Sequence, residues 1–211
     1  MRIPQPDGKR GSLKWMQRAV NQRPDLLQPA VLPPLAWVSP LADDEHAEYR
    51  DAAFLTRLGL APLASALSEF WPKRGPQWDG LATFTGGVVL AEAKAHLPEF
   101  ATPHSAAGPV SSLRIAAAFA QVQHALGIAP QPWHRTYYQY ANRLAHLWWL
   151  RSQGVDAHLL LIGFLGDTEM NGPTLAADWH TATTRAEMTL GLVPNPLRPF
   201  IHTLYPDVRT L

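Results

Sequence analysis

Trp78-Asp79-Gly80-Leu81-Ala82-Thr83-Phe84-Thr85-Gly86-Gly87-Val88-Val89-Leu90-Ala91-Glu92-Ala93-Lys94 is the stretch on which the fold turns. Two short apolar runs flank Thr85-Gly86-Gly87. Their length, the glycines and the paired valines predict a β-hairpin with strands over 78–84 and 88–94. Ala, Glu and Lys would also suit a helix from Leu90 to Leu97, but Gly86-Gly87 and Val88-Val89 immediately before it favour the strand. Residues two apart on a strand share a face. Glu92 and Lys94 therefore project together, while Ala91 and Ala93 face the other way, into packing. If the hairpin closes around Thr85-Gly86-Gly87, Asp79 falls level with Glu92, and a carboxylate from each strand can approach the other.

Working outward, residues 11–22 read as a helix, with Leu13, Met16 and Val20 at helical spacing. Residues 24–40 are Pro-rich and apolar, which predicts an extended arm packed on the body. Residues 42–58 read as a helix with Asp43, Asp44 and Glu45 in its first turn, where the helix dipole favours negative charge. A short helix over Pro62–Phe70 and a break over Trp71–Pro76 lead into the hairpin. Beyond it come a loop over 98–109, helices over 111–126 and 134–153, and a buried strand over 158–165. A helix over 174–190 and a terminal strand over 200–205 complete the chain. This order predicts an α/β (α+β) fold with a central mixed sheet flanked by helices. Residues 1–41 are expected to form an N-terminal helical and Pro-rich arm, and residues 42–211 the main domain.

Composition narrows the function classes. The apolar fraction of 46% is that of a globular protein. The absence of Cys excludes disulfides and thiolate zinc sites, and fits a reducing cytoplasm. The nine His include no HxxxH or HExxH spacing, which argues against zinc. The polar, Pro-rich start lacks the apolar centre of a signal peptide, and no apolar run approaches the roughly 18 residues of a membrane span. A soluble cytoplasmic protein without a membrane partner is expected. No phosphate-cradling Gly loop and no Gly-x-Ser-x-Gly elbow appears. With a net charge of +1, any nucleic-acid surface must come from local clusters. Lys9-Arg10-Lys14-Arg18 and Lys73-Arg74 are the candidates; the plainer reading of each is a solvated face.

Asp79, Glu92 and Lys94 stand out within this frame. Their plainer reading is a surface salt-bridge ladder. Yet the strand carrying Glu92 is otherwise apolar, and charge on a covered strand needs a reason. Gly80 and Ala93 are small and leave room for something to approach. Two close carboxylates repel unless a cation lies between them, and a hard, oxygen-seeking ion such as magnesium suits such a pair.

Trp78-Asp79, a hairpin, and then Glu92-Ala93-Lys94 resembles the motif of the PD-(D/E)XK nuclease superfamily, with Gln77-Trp78-Asp79 departing from a strict Pro-Asp pair. The motif covers about 20 residues, and the order of elements over 43–165 is compatible with that superfamily's sheet-and-helix core. The resemblance implies a restriction-endonuclease-like core and a magnesium ion, with manganese as a possible substitute. Asp79, Glu92 and the carbonyl of Ala93 would be its ligands. Lys94 would orient or activate the attacking water and stabilise charge on phosphate. A Glu from an early helix would join the site. Among Glu45, Glu48 and Glu69, the polar cluster Glu48-Tyr49-Arg50-Asp51 favours Glu48. A Gln on a later helix would be Gln139, which shares a helical face with Asn142 and Arg143. The implied activity is hydrolysis of phosphodiester bonds in DNA, with a homodimer possible. The alternative is a catalytically inactive relative that binds nucleic acid or protein.

Overall fold

The computed structural model describes residues 1–101 and 107–211. In chain order the elements are β1 (Arg2–Ile3), α1 (Gly11–Gln22), β2 (Ala36–Ser39), β3 (Glu48–Tyr49), α2 (Ala52–Arg57), α3 (Ala64–Phe70), β4 (Gly80–Phe84), β5 (Gly87–Lys94), α4 (Pro109–Ala125), α5 (Tyr138–Ser152), β6 (Asp156–Gly163), α6 (Ala176–Thr189) and β7 (Ile201–Leu204). The main sheet has the order β2-β4-β5-β6-β7. β2, β4 and β5 form an antiparallel meander, and β6 and β7 run parallel to β5. The chain is thus a mixed α/β protein with a five-stranded mixed sheet. No helix of the described residues is long and apolar enough to cross a membrane.

β5 and β6 lie inside the sheet and are largely apolar on both faces, because both faces are covered. One face packs Val88, Leu90, Leu159 and Leu161 against α2–α6. The other packs Ala82, Val89, Ala91, Ala93 and Ile162 against Trp15, Met16 and Ala19 of α1. The alanines are small because α1 sits close. A Cβ on Gly80 would lie 2.4 Å from the Met16 Cε and 2.7 Å from the Trp37 ring. The smallness of Gly80 therefore serves the packing of α1 and Trp37, and the space expected beside it for a ligand is filled by them.

Several expectations need correction. The hairpin closes through two residues, Thr85 and Gly86, with Phe84 paired to Gly87 and Gly86 at φ +94. The helix expected over 42–58 is a single 3-10 turn at Ala42–Asp44, then β3, then the short α2. Glu45 and His46 adopt left-handed φ values of 50 and 47, which no helix accommodates, and β3 pairs with β1 instead. Glu48 is therefore a strand residue. The helix expected from His134 starts at Tyr138, because Tyr137 has φ 63. Within the Pro-rich stretch, Leu27, Leu32 and Leu35 join the core on the α1 side of the sheet, and Ala36–Ser39 is the edge strand of the sheet. Of the predicted loop 98–109, residues 102–106 lie outside the described residues.

Candidate functional site

The register Gly80↔Ala91 sets Asp79, one residue before β4, level with Glu92 on β5. Asp79 Oδ2 accepts the Ala93 N–H at 2.8 Å. Glu92 and Lys94 lie on the sheet face covered by α5, with Glu92 only 4% exposed. Lys94 Nζ donates to Glu92 Oε1 and, at 3.3 Å, to the carbonyl of Ala93. Arg143 Nε donates to Glu92 Oε2 at 2.6 Å. The same guanidinium donates to Gln77 O at 2.7 Å and lies 4.6 Å from the centre of the Trp78 ring. Glu92 thus carries a cation on each oxygen.

Glu48 joins from β3. Its carboxylate is buried and accepts from Gln77 Nε2. Gln139 lies half-buried in the first turn of α5, one turn before Arg143 on the same helical face. Asn142 accepts from Arg143 Nη1 at 3.0 Å. The structure therefore gathers Glu48, Asp79, Glu92, Lys94 and Arg143. The hairpin spacing alone brings Asp79, Glu92 and Lys94 together, whereas Glu48 arrives from a distant strand. The direct grip of Arg143 on Glu92 and of Gln77 on Glu48 was missed. A lone charge among Ala141, Leu144, Ala145 and Leu147 was the available signal, since a buried guanidinium requires a partner.

The charges couple. Burial alone would push Glu92 up, but Arg143 and then Lys94 reverse this and hold it below its ordinary value. Burial opposes the Lys94 ammonium, yet Glu92 and Asp79 more than offset that and raise it. Asp79 is pushed up to about 8, first by burial and then by the charge of Glu92. Glu48 is raised by burial, with Glu92 adding to the shift and Gln77 opposing it. Three acids thus share a region holding too much negative charge for all to ionise freely.

A stability prediction follows. Between about pH 4 and pH 8 the folded metal-free protein keeps a proton on Asp79 that the unfolded chain releases. Stability should therefore fall as pH rises through that window, by up to about 1.4 kcal/mol per pH unit from this one group. Urea unfolding at pH 5, 6.5 and 8 should show the slope, and Asp79→Asn should flatten it. An equal slope in both proteins would refute the assignment.

The oxygens able to hold a metal here are the Asp79, Glu92 and Glu48 carboxylates and the Ala93 carbonyl. Among the described residues no three His, Cys, Asp or Glu side chains are grouped closely enough to hold an ion. An ion at this site would draw on two carboxylates, the Ala93 carbonyl and water. Beside Glu92 and Lys94 is a recess of about 20 Å³, room for a single water, walled by Phe100, Trp179, Thr183 and Tyr205. Thr183, Thr203 and Tyr205 also line a second cleft of about 270 Å³ that reaches His180 and Arg198. Other charged side chains pair away from this site. Lys14 pairs with Glu169 at 3.1 Å on α1, across the sheet. His96 contacts Glu99 at 3.3 Å. Asp167 caps the turn Thr168–Met170 and also accepts from Trp15 Nε1 at 2.6 Å.

Comparison with protein-family models, with curated proteins and with solved structures finds no match to this chain.

Proposed function

We propose that the chain is a divalent-metal-dependent nuclease that hydrolyses phosphodiester bonds, with DNA as the favoured substrate. The observation that carries this reading is the cation lodged at the end of the hairpin. The Lys94 ammonium rests on Glu92 Oε1 and the Ala93 carbonyl and is held chiefly by the charge of Glu92. These are hard oxygen donors of the kind magnesium takes. The Asp79 and Glu48 carboxyls, raised first by burial and further by the charge of Glu92, are groups that a divalent ion would hold ionised. The antiparallel hairpin, the helices after it and the parallel strand β6 support a restriction-endonuclease-like core.

Asp79, Glu92 and the Ala93 carbonyl would hold magnesium, or manganese in its place. When bound, such an ion would neutralise charge at the phosphate and lower the pKa of a coordinated water. The protein's own groups do the rest. Arg143 keeps Glu92 ionised and fixed. Lys94, held as a cation, orients water in the recess and stabilises charge growing on the phosphate oxygens, and does not act as a base. Glu48, raised by burial, is suited to take a proton from that water. Gln139 would contact substrate or water from the start of α5. Arg198 and His180, in the adjoining cleft, offer donors to a strand's backbone phosphates.

A second reading, a non-catalytic binding module, is favoured by one observation: both Glu92 oxygens already carry cations. Incubation with linear, circular and single-stranded DNA in magnesium, manganese or EDTA separates the two. Cleavage in either metal that EDTA abolishes is the expected result. DNA bound but left intact in both metals would overturn the nuclease reading in favour of the second.

A further inference from the structure

A cavity of about 370 Å³ lies among α2, α3, α4 and α5 and shares no lining residue with the recess at Glu92. That volume suits a ligand of nucleotide size. Leu67 and Trp71 give it apolar walls, and Asp51, Lys73, Arg114 and His146 supply its polar groups. His146 is only 1% exposed. Its Nδ1 lies 2.8 Å from the carbonyl of Asn142, which can only accept, so Nδ1 carries the proton and Nε2 presents a lone pair. Nε2 has no hydrogen-bond partner among the described residues, and His146 lines the cavity. Burial holds its pKa down to about 3, so the acceptor persists across the physiological range.

Each feature selects part of a ligand. A buried lone pair beside aromatic rings calls for a planar group carrying an N–H donor. The Trp71 ring centre is 4.8 Å from that of His146, which builds an aromatic corner for it. Lys73 is exposed, and the Arg114 guanidinium uses its Nη2 on the carbonyls of Ser68 and Glu69. These two cations face one carboxylate, Asp51, whose Oδ1 accepts from the Gly75 N–H at 2.9 Å. The balance favours an anionic group at the mouth.

We propose that this cavity binds a nucleoside monophosphate, its base donating an N–H to His146 Nε2 and its phosphate meeting Lys73 and Arg114. The nucleotide is either free or the phosphorylated end of a strand. The site is a separate cavity from the recess at Glu92.

Titration of the full chain with AMP, read by calorimetry and by tryptophan fluorescence, tests the assignment. AMP should bind at least tenfold more tightly than adenosine or ribose 5-phosphate. His146→Phe, which keeps the ring and removes the acceptor, should weaken AMP about tenfold, as expected for an unsatisfied buried polar partner. Lys73→Ala should weaken it severalfold and reduce its salt dependence. Lys73 is exposed, so that variant keeps the test decisive if His146→Phe misfolds. Tighter binding of a 5′-phosphorylated dinucleotide than of AMP would point to a strand end as the source, and the reverse to the free nucleotide. No AMP binding at millimolar concentration, or AMP binding that neither substitution weakens, would overturn the proposal.

Discussion

Lys94→Ala is expected to slow metal-dependent DNA cleavage by about 10²–10³-fold, the usual cost of removing a positioned donor of transition-state charge. The expectation rests on where the ammonium sits. It contacts Glu92 and the Ala93 carbonyl and is held above its ordinary pKa, so it is a fixed cation and not a proton acceptor. A cation in that position works on charge that appears only as the phosphate is attacked, so kcat should fall far more than KM rises. Single-turnover assays in magnesium and in manganese would give the split, with circular dichroism to show that the fold is kept. Glu92→Gln should fall at least as far, since it weakens the donor set and its hold on both cations. Cleavage by Lys94→Ala at the wild-type rate would remove Lys94 from the reaction.

Arg143→Ala should destabilise the protein by about 3–5 kcal/mol, the range for breaking a buried ion pair from one side. Arg143 and Glu92 are 2% and 4% exposed, so water cannot replace what is lost. Four contacts go at once: the bonds to Glu92 Oε2, Gln77 O and Asn142 Oδ1 and the packing on Trp78. Much of the cost is the carboxylate left with Lys94 alone. Arg143→Ala combined with Glu92→Gln should therefore cost clearly less than the sum of the two single changes. Urea unfolding of the four proteins completes the cycle. A loss below about 1 kcal/mol for Arg143→Ala would show that the pair is solvated.

Strand alternation is a local property, which is why the hairpin, the shared face of Glu92 and Lys94 and the level placement of Asp79 could be read from 17 consecutive residues. What escaped depends on distant partners. Residues 42–58 carry good helix-starting charges, but Asp44 is taken by Arg2 and Tyr49, and Glu48 pairs in register with Ile3. Nothing within that window reports the competing strand. Gly80 looked like space for a ligand because its small size was visible, while Met16 and Trp37, which use that space, come from elsewhere in the chain. The helical face of Gln139, Asn142 and Arg143 was legible from spacing, yet spacing could not say which acid Arg143 would meet. The cavity at His146 draws on four helices and was not legible at all.

The pairing of β5 with β6 is parallel, and parallel neighbours cannot be joined by a tight turn. The chain must travel through α4 and α5 before the centre of the sheet can close. Glu92 and Arg143 are 51 residues apart along that detour. While the chain is still folding, the hairpin can zip early from local contacts, whereas the ion pair waits for the crossover to dock. Glu92 then stays hydrated until its partner arrives, and its burial and neutralisation occur in one event. Substitutions at Arg143 should accordingly register in the late steps of folding, with the hairpin's own closure left at its native rate.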